Sequence, residues 1–132
     1  MAGFATDEWF EKVDELTKAA GELQVPKSMA GVIVNLKVPG GSGEVELCLN
    51  GGIIQKGHLG TAHVTMAMPA QYAYAILVKG DWSVGMKGWM KRKIKISGDL
   101  RKLMPLQMYK PSIAQEELRG KIDEITDEHP VP

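Results

Sequence analysis

Two histidines and one cysteine are the side chains whose types could do chemistry together. His58 and His63 fall on neighbouring predicted strands, and Cys48 falls on a third. Imidazole and thiolate bind zinc, but a stable site needs three or four ligands in a set geometry. Nothing else in the sequence supports such a site, so we expect histidines that are solvated or capped. A nucleophilic Cys48 would need an electropositive neighbourhood, whereas Glu44 and Glu46 share its predicted face, so we expect a small strand residue.

The sequence also lacks the common catalytic signatures. It contains no Gly-x-Ser-x-Gly nucleophile elbow, no Walker loop and no dinucleotide-binding fingerprint. The glycine clusters at 40–43 and 51–52 lie between predicted strands and have the composition of hairpin turns. We therefore expect a protein that is not an enzyme and that uses no cofactor and no metal.

Methionine and tryptophan are concentrated in one stretch, from Met66 to Met108. It holds six of the eight methionines and two of the three tryptophans. Methionine is unbranched and polarizable, so it fills irregular space and re-packs around guests of different shape. Apolar side chains at helical spacing are most often ordinary core, and the alternative is an apolar cavity that takes a ligand. Both interpretations stay open on composition alone.

One charge asymmetry follows the same stretch. Its members are Lys87, Lys91, Arg92, Lys93, Lys95, Arg101 and Lys102. Long basic side chains often form a solvated rim whose stems cover apolar surface. The functional alternative is a cationic lip for anionic lipid headgroups or an acyl carboxylate, which predicts a transient contact with a membrane surface.

Length and charge exclude several classes of protein. A chain of 132 residues has the size of one domain, which we expect to span 1–132, and it can fold without disulfides or metal. Sixteen basic and sixteen acidic residues cancel, which argues against a nucleic-acid binder. No run approaches the length of a membrane span, and Met1 to Glu8 lacks the basic region of a signal peptide. We expect a cytoplasmic protein.

Helical periodicity occurs in segments that are flanked by capping residues. The predicted helices run from Thr6 to Gly21, from Pro69 to Gly80, after Asp81, briefly after Asp99, and over Ser112–Thr126. Gly85 and Gly88 weaken the helix after Asp81, because glycine has low helix propensity. A weak helix beside a methionine-lined space would be suited to act as a gate.

Alternation with a period of two residues begins after Gly31. It predicts strands at 32–38, 44–49, 53–59, 61–68 and 93–97. Asn50-Gly51 is a strong signal for a tight hairpin, and four sequential strands with short turns predict an antiparallel meander. The fold class is therefore α+β: a single five-stranded, mostly antiparallel sheet with helices packed on one face.

Several blocks of the sequence resemble the sterol carrier protein type 2 family, abbreviated SCP-2. The segment Lys93–Asp99, followed by Leu103–Leu106, is similar to the family signature of an alternating basic and apolar strand, Gly-Asp or Gly-Asn, and a short apolar helix. Gly88-Trp89-Met90 stands where the family has a small residue, an aromatic and a methionine. Ala62-His63-Val64-Thr65 matches a strand that often reads Ala-Asp-Val-Thr. The order of elements agrees over nearly the whole chain.

The sequence departs from the family pattern at three places. His63 replaces the usual acid, Arg92 stands where a glycine is common, and the Ser112–Thr126 helix is longer and more charged than the tail of many members. These differences leave the resemblance in fold intact and bear on the ligand and on access to it.

The resemblance implies an SCP-2-like fold that encloses an apolar tunnel for a fatty acid, a fatty acyl-CoA or a sterol. The implied function is non-catalytic binding and transfer or presentation of that lipid. The residues predicted to line or gate the tunnel are Met66, Met68, Tyr72, Ile76, Trp82, Met86, Trp89, Met90, Leu103, Met104 and Met108. The alternative is a homodimeric structural or accessory domain that supports a lipid- or steroid-metabolising enzyme, since stable dimer interfaces also favour methionine and aromatics.

Overall fold

The described parts of the chain form a five-stranded sheet and a set of short helices. The structure is a computed structural model, and it describes residues 2–40, 43–103 and 112–129. The helices are α1 (Asp7–Ala20), α2 (Lys27–Ala30), α3 (Ala70–Leu77), α4 (Ser83–Met90) and α5 (Ile113–Ile125), with a 3₁₀ turn at Leu100–Lys102. The strands are β1 (Ile33–Gly40), β2 (Gly43–Asn50), β3 (Ile53–Lys56), β4 (Val64–Ala67) and β5 (Lys95–Gly98). Within these ranges, no helix has the length and apolar character needed to cross a membrane.

The first and last helices begin where their capping residues predict. Thr6 Oγ1 accepts the backbone N–H of Trp9 at 3.2 Å. Ser112 Oγ accepts the N–H of Gln115 at 3.1 Å, and Gln115 Oε1 accepts the N–H of Ser112 at 2.9 Å. Such caps supply partners for N–H groups that have none within the helix. The indole N–H of Trp9 donates to Thr126 Oγ1 at 2.8 Å, which joins α1 to the end of α5.

The sheet has the strand order β3-β2-β1-β4-β5, so β1 is its centre. β2 and β3 form a hairpin in which Asn50 pairs with Ile53. Gly51 and Gly52 are therefore the two loop residues, and their φ angles are 58° and 88°. The sequence prediction placed this loop at Asn50-Gly51, one residue too early. Two glycines adopt the positive φ that both loop positions require without steric cost.

The fourth strand shows that the predicted antiparallel meander is wrong. β4 runs parallel to β1, with Val64 opposite Val34, and it does not pair with β3. β5 then pairs antiparallel with β4, with Ile96 opposite Met66. Alternation along a strand determines which face a side chain occupies, but not which strand lies beside it. The sheet is mixed, with one parallel pair beside three antiparallel ones, and the α+β class with a mostly antiparallel sheet is confirmed.

Residues 57–63, here called the crossing segment, carry the chain from β3 past β2 and β1 to β4. Asn35 anchors this segment, since its Nδ2 donates to the carbonyl of Leu59 and its Oδ1 accepts the N–H of Leu59, both at 3.0 Å. The N–H of His63 donates to the carbonyl of Ile33 at 2.9 Å. The side chain of Asn35 thus supplies partners to backbone groups that have no neighbouring strand. The strands predicted at 53–59 and 61–68 are shortened accordingly.

The two faces of the sheet have different coverings. The buried apolar residues of β1, β2 and β4 on the helical face are Val34, Leu36, Val38, Leu47, Leu49, Val64 and Met66. Trp9 of α1 and Tyr74 of α3 belong to the same core. Asn35 and Cys48 pair in register on the other face, where the crossing segment lies. The helices therefore cover one face, as the sequence predicts.

Replacing the anchor of the crossing segment should destabilise the fold. Asn35→Ala removes both partners of the Leu59 backbone in a site where Asn35 is only 7% exposed. We expect the free energy of unfolding, measured by urea denaturation, to fall by about 2 kcal/mol. Asn50→Ala, at the end of β2, is the control and should change it little. Equal losses in the two variants would contradict the anchoring role of Asn35.

Candidate functional site

The two histidines predicted on neighbouring strands, His58 and His63, lie instead in the crossing segment, where both are held in contacts within the protein. His58 Nε2 donates to the carbonyl of Leu36 at 2.8 Å, and its Nδ1 lies 2.8 Å from a carboxylate oxygen of Glu46. His63 Nδ1 accepts the N–H of Ile33 at 3.2 Å. Among residues 2–40, 43–103 and 112–129, no three metal-ligating side chains come together. The histidines therefore fit the capped alternative, and both fasten the path of the chain from β3 to β4.

Cys48 is a buried strand residue. It is 1% exposed, and its Sγ lies 3.9 Å from Oε1 of Gln55 on the neighbouring strand. Burial raises the pKa of the Cys48 thiol, so its reactive thiolate form is disfavoured. The thiol therefore lacks the environment of a nucleophile.

An apolar pocket of about 90 Å³ lies between the sheet edge, α3 and α4. The described residues that line it are Met66, Ile76, Trp82, Gly85, Met86, Trp89, Ile96, Leu100 and Leu103. None of them carries a charge, and their only polar side-chain groups are the two indole N–H groups. Such a lining attracts hydrocarbon and offers little to a polar guest.

The floor of the pocket is a cross-strand pair. Met66 of β4 lies opposite Ile96 of β5 in the antiparallel register, so both side chains point to the same face. Ile76 contributes from α3, whose residues Tyr72–Leu77 are all buried. The floor is therefore built on the best-packed part of the fold, and it depends on the placement of β4 beside β1.

The opposite wall is α4, which approaches the core closely at one residue. A Cβ atom on Gly88 would lie 2.6 Å from Cδ1 of Ile94 and 2.8 Å from Cε1 of Tyr72. Only the absence of a side chain lets the helix backbone come so near. Gly88 is also the only buried residue of α4, and Val84 is partly buried against the same core. This glycine has a packing role that helix propensity alone does not show.

The pocket reaches the surface between α4 and the 3₁₀ turn. Trp89 and Leu100 both line it, yet Trp89 is 47% exposed and Leu100 is 46% exposed. A side chain that is half in solvent and half in a pocket belongs to the mouth. Trp89 and Leu100 therefore form the rim through which a guest would enter.

The pocket brings together six of the residues that the sequence predicts as a lining. These are Met66, Ile76, Trp82, Met86, Trp89 and Leu103. Met68 and Tyr72 are instead buried in the core, at 3% and 5% exposure, and Met90 is 72% exposed outside the pocket. Met104 and Met108 lie outside the described residues. Whether the six bind a ligand stays a prediction.

Three lining residues were missed by the sequence reasoning. Ile96 sits in the alternating Lys93–Ser97 segment, and its apolar phase places it on the inner face of the edge strand, so its signal was present. Gly85 was interpreted only as a helix-weakening residue. Leu100 was predicted in the short helix after Asp99 at helical spacing from Leu103, so its signal was present too.

This arrangement of elements matches solved structures of sterol carrier proteins. The apo form of sterol carrier protein 2 from Yarrowia lipolytica superposes with a TM-score of 0.57 at 17% identity, over 91% of this chain and 96% of that one. Sterol carrier protein 2 like 2 from Aedes aegypti gives 0.55 at 19% identity, over 78% and 97%. The ubiquinone synthesis protein UbiJ-SCP2 gives 0.51 at 11% identity, over 86% and 99%. The chain has the sterol carrier protein 2 fold. No family model and no curated protein matches its sequence.

The residues that carry the resemblance to the SCP-2 family have structural tasks in this fold. A Cβ atom on Gly98 would lie 2.5 Å from the carbonyl oxygen of His63, and the N–H of Asp99 donates to that same oxygen at 3.0 Å. Asp99 caps the 3₁₀ turn by accepting the N–H of Arg101 at 3.1 Å. The side-chain hydrogen bond from Arg101 lowers the pKa of Asp99. The Gly-Asp pair thus joins the end of β5 to the start of β4.

Two of the three departures from the SCP-2 pattern, His63 and Arg92, have a geometric reason. His63 uses Nδ1 to accept the N–H of Ile33, a task that a carboxylate oxygen performs as well. Arg92 has a φ of 61° and follows the end of α4, and its N–H donates to the carbonyl of Trp89 at 3.0 Å. Glycine is favoured at this position after a helix because other residues adopt positive φ at a cost of roughly 1 kcal/mol. Arg92 therefore meets the backbone requirement of this position under strain.

The two glycines of α4 should respond oppositely to alanine. Gly88→Ala places a methyl group against Ile94 and Tyr72, and we expect it to lower the free energy of unfolding by about 1–3 kcal/mol. Gly85→Ala places its methyl 3.4 Å from Cδ1 of Ile76, an ordinary contact, so the gain in helix propensity should stabilise by up to about 1 kcal/mol. Thermal unfolding followed by circular dichroism measures both. A loss of the same size in both variants would show that α4 does not rest on Gly88.

Proposed function

We propose that this protein binds a hydrophobic lipid in the pocket beside α4 and carries or presents it without catalysis. The observation that carries the proposal is an uncharged lining of methionine, tryptophan and aliphatic side chains that opens at the surface. Each methylene moved from water into such a lining contributes roughly 0.8 kcal/mol. The ligands that fit this chemistry are a fatty acid, the acyl part of a fatty acyl-CoA, or a sterol.

The size of the pocket implies that binding requires movement. Its volume of about 90 Å³ is below the roughly 150 Å³ apolar cavity that holds a benzene-sized guest. A whole acyl chain therefore needs additional space. α4 is the wall best suited to yield, because Gly88 is its only buried residue and because elements with few buried contacts open at low free energy. Met86 and Trp89 on the same helix can re-pack around the guest.

Structures with the same fold support this choice of ligand class. One of them is palmitated SCP2L2 from Aedes aegypti, solved in solution, which superposes with a TM-score of 0.53 at 17% identity over 78% of this chain and 91% of that one. We extend lipid binding from that protein to this chain as part of the proposal. Specificity should be low, since an apolar pocket discriminates a single methylene by only about 1–3 kcal/mol.

The chemistry-bearing side chains lie away from the pocket. Cys48 pairs with Gln55 across β2 and β3, and His58 bridges Leu36 and Glu46. None of these residues belongs to the pocket lining. The proposed role for the pocket is therefore binding, with release of the ligand unchanged.

A pocket-filling variant should weaken ligand uptake. In Gly85→Leu the new side chain occupies the pocket beside Ile76, and displacing about two ligand methylenes should weaken binding roughly ten-fold. Titration with the fluorescent fatty acid cis-parinaric acid, with energy transfer from Trp82 and Trp89, measures the affinity. Gly120→Leu on α5 is the matched control, because a Cβ atom there meets open space, and it should bind as the wild type does.

Two results would contradict the proposed function. One is wild-type protein that shows no saturable uptake of cis-parinaric acid and no lipid in native mass spectra of the freshly purified protein. The other is a Gly85→Leu variant that binds as tightly as Gly120→Leu, which would place the ligand elsewhere.

A second candidate is the homodimeric accessory domain. Its support is the shared fold of UbiJ-SCP2, a protein named for ubiquinone synthesis. This candidate predicts a mass that doubles with concentration and no lipid uptake. Sedimentation equilibrium on the same preparation separates it from the carrier.

A further inference from the structure

Apolar side chains are exposed at the mouth of the pocket. Among the described residues, the large apolar side chains with high exposure are Trp89, Met90, Leu100 and Ile113. Three of these four lie on α4 or on the 3₁₀ turn, and Met90 reaches 72% exposure. Trp89 and Leu100 are rim residues, and Met90 directly follows Trp89. Among the described residues, the mouth is thus an apolar surface that is exposed to solvent.

Basic side chains flank the residues of the mouth along the chain. The basic patch consists of Lys87, Lys91, Arg92, Lys93, Lys95, Arg101 and Lys102, all of them exposed. Residues 82–103 contain these seven basic side chains and one acidic side chain, whereas the rest of the chain contains nine basic and fifteen acidic ones. A neutral protein therefore concentrates its positive charge in the stretch of chain that forms the pocket mouth.

The basic patch is largely unpaired, unlike the other lysines. Lys12, Lys18, Lys56 and Lys79 each lie within 4.0 Å of a carboxylate. Within the ranges that the structure describes, Arg101 is the one member of the patch with an ion pair, to Asp99 at 3.1 Å. Lys95 alternates with Ile96 of the pocket floor and so lies on the other face of the sheet. The other five cations without an ion pair, next in sequence to three exposed apolar side chains, have the charge and polarity that complement an anionic lipid surface.

Arg92 is the member of the basic patch whose backbone is strained, as are those of Ala5 and Gln24 elsewhere in the described residues. Its φ of 61° is a conformation that glycine adopts freely and arginine adopts at a cost. A local rule broken without a packing gain is expected where function requires the residue. This position therefore carries a positive charge in spite of its strained backbone.

We propose that the pocket mouth docks onto anionic bilayers. Trp89, Met90 and Leu100 enter the interface between headgroups and acyl chains, and the basic patch contacts the lipid phosphates. This surface deepens the proposed function, on which its purpose rests, because docking would let a lipid pass between bilayer and pocket without crossing water. An acidic protein partner could pair with the basic patch. It would not, however, provide a hydrocarbon phase for Trp89, Met90 and Leu100.

Vesicle binding by charge-matched variants tests the proposal. Co-sedimentation uses phosphatidylcholine vesicles with and without phosphatidylserine, at low and at physiological salt. We expect binding only to the anionic vesicles, weakened by salt. Lys91→Glu should weaken binding at least about five-fold, the effect of one cation at such a surface. Lys121→Glu changes the net charge by the same amount on the exposed face of α5 and should leave binding unchanged.

Two further variants test the apolar centre and the strained residue. Met90→Ser should weaken vesicle binding about ten-fold, since it removes a side chain that enters the hydrocarbon. Arg92→Gly should raise the melting temperature by about 3 °C, because strain is relieved, while weakening vesicle binding about five-fold. If Arg92 only supported the fold, its replacement would not raise the melting temperature and weaken vesicle binding in the same variant.

The docking proposal is overturned if the wild type does not bind anionic vesicles, or if Lys91→Glu and Lys121→Glu weaken vesicle binding equally. It is also overturned if Met90→Ser leaves vesicle binding unchanged. The last result would show attraction to any polyanion. Failure of the pocket is a separate observation, because cis-parinaric acid uptake is measured without vesicles. Met90→Ser and Lys91→Glu should leave that uptake intact, whereas Gly85→Leu should impair uptake and still bind vesicles.

Discussion

The parallel pairing of β4 with β1 is the constraint on which the rest of the structure depends. Because the chain crosses the sheet after β3, β4 lies beside the central strand and β5 becomes an edge. That edge is where Met66 and Ile96 form the pocket floor. An antiparallel meander would have put β4 beside β3, far from α4. The polar anchor at Asn35 is therefore part of what positions the apolar site.

A second constraint acts on α4, which combines close approach with few contacts. Gly88 lets the backbone lie against Ile94 and Tyr72, so the helix is positioned by shape and not by a buried stripe. The side chains that would ordinarily close a core, such as Met86 and Trp82, line the pocket instead. Packing at protein-like density normally removes such space. Trp82 and Met86 line the pocket and do not fill it, and for the same reason α4 has few buried side chains.

The sequence predicted the features that depend on residues close together in the chain, and it missed the strand pairing that depends on residues far apart in the chain. The caps at Thr6 and Ser112 predicted two helices to within a residue, because a cap and its partners lie three residues apart. The neighbour of β4 depends on Asn35 and Leu59, which are distant in sequence, and alternation carries no information about it. Met66 and Met68 show the same limit in the site, since the strand predicted at 61–68 places both on one face and both are buried. The elements that pack against each side chain decide that Met66 lines the pocket and that Met68 belongs to the core.

Only one turn of α4 separates the pocket lining from the proposed docking surface, so the two surfaces move together. Met86 lines the pocket and Met90 faces solvent, although they are one turn apart on α4. A helix is stiff over that distance, because its backbone hydrogen bonds join each residue to the fourth one before it. Any displacement of α4 that enlarges the pocket must therefore also move Met90 and the basic residues that follow. A surface that holds Met90 in place acts on the pocket wall through the same rigid turn, so opening and docking are properties of one element.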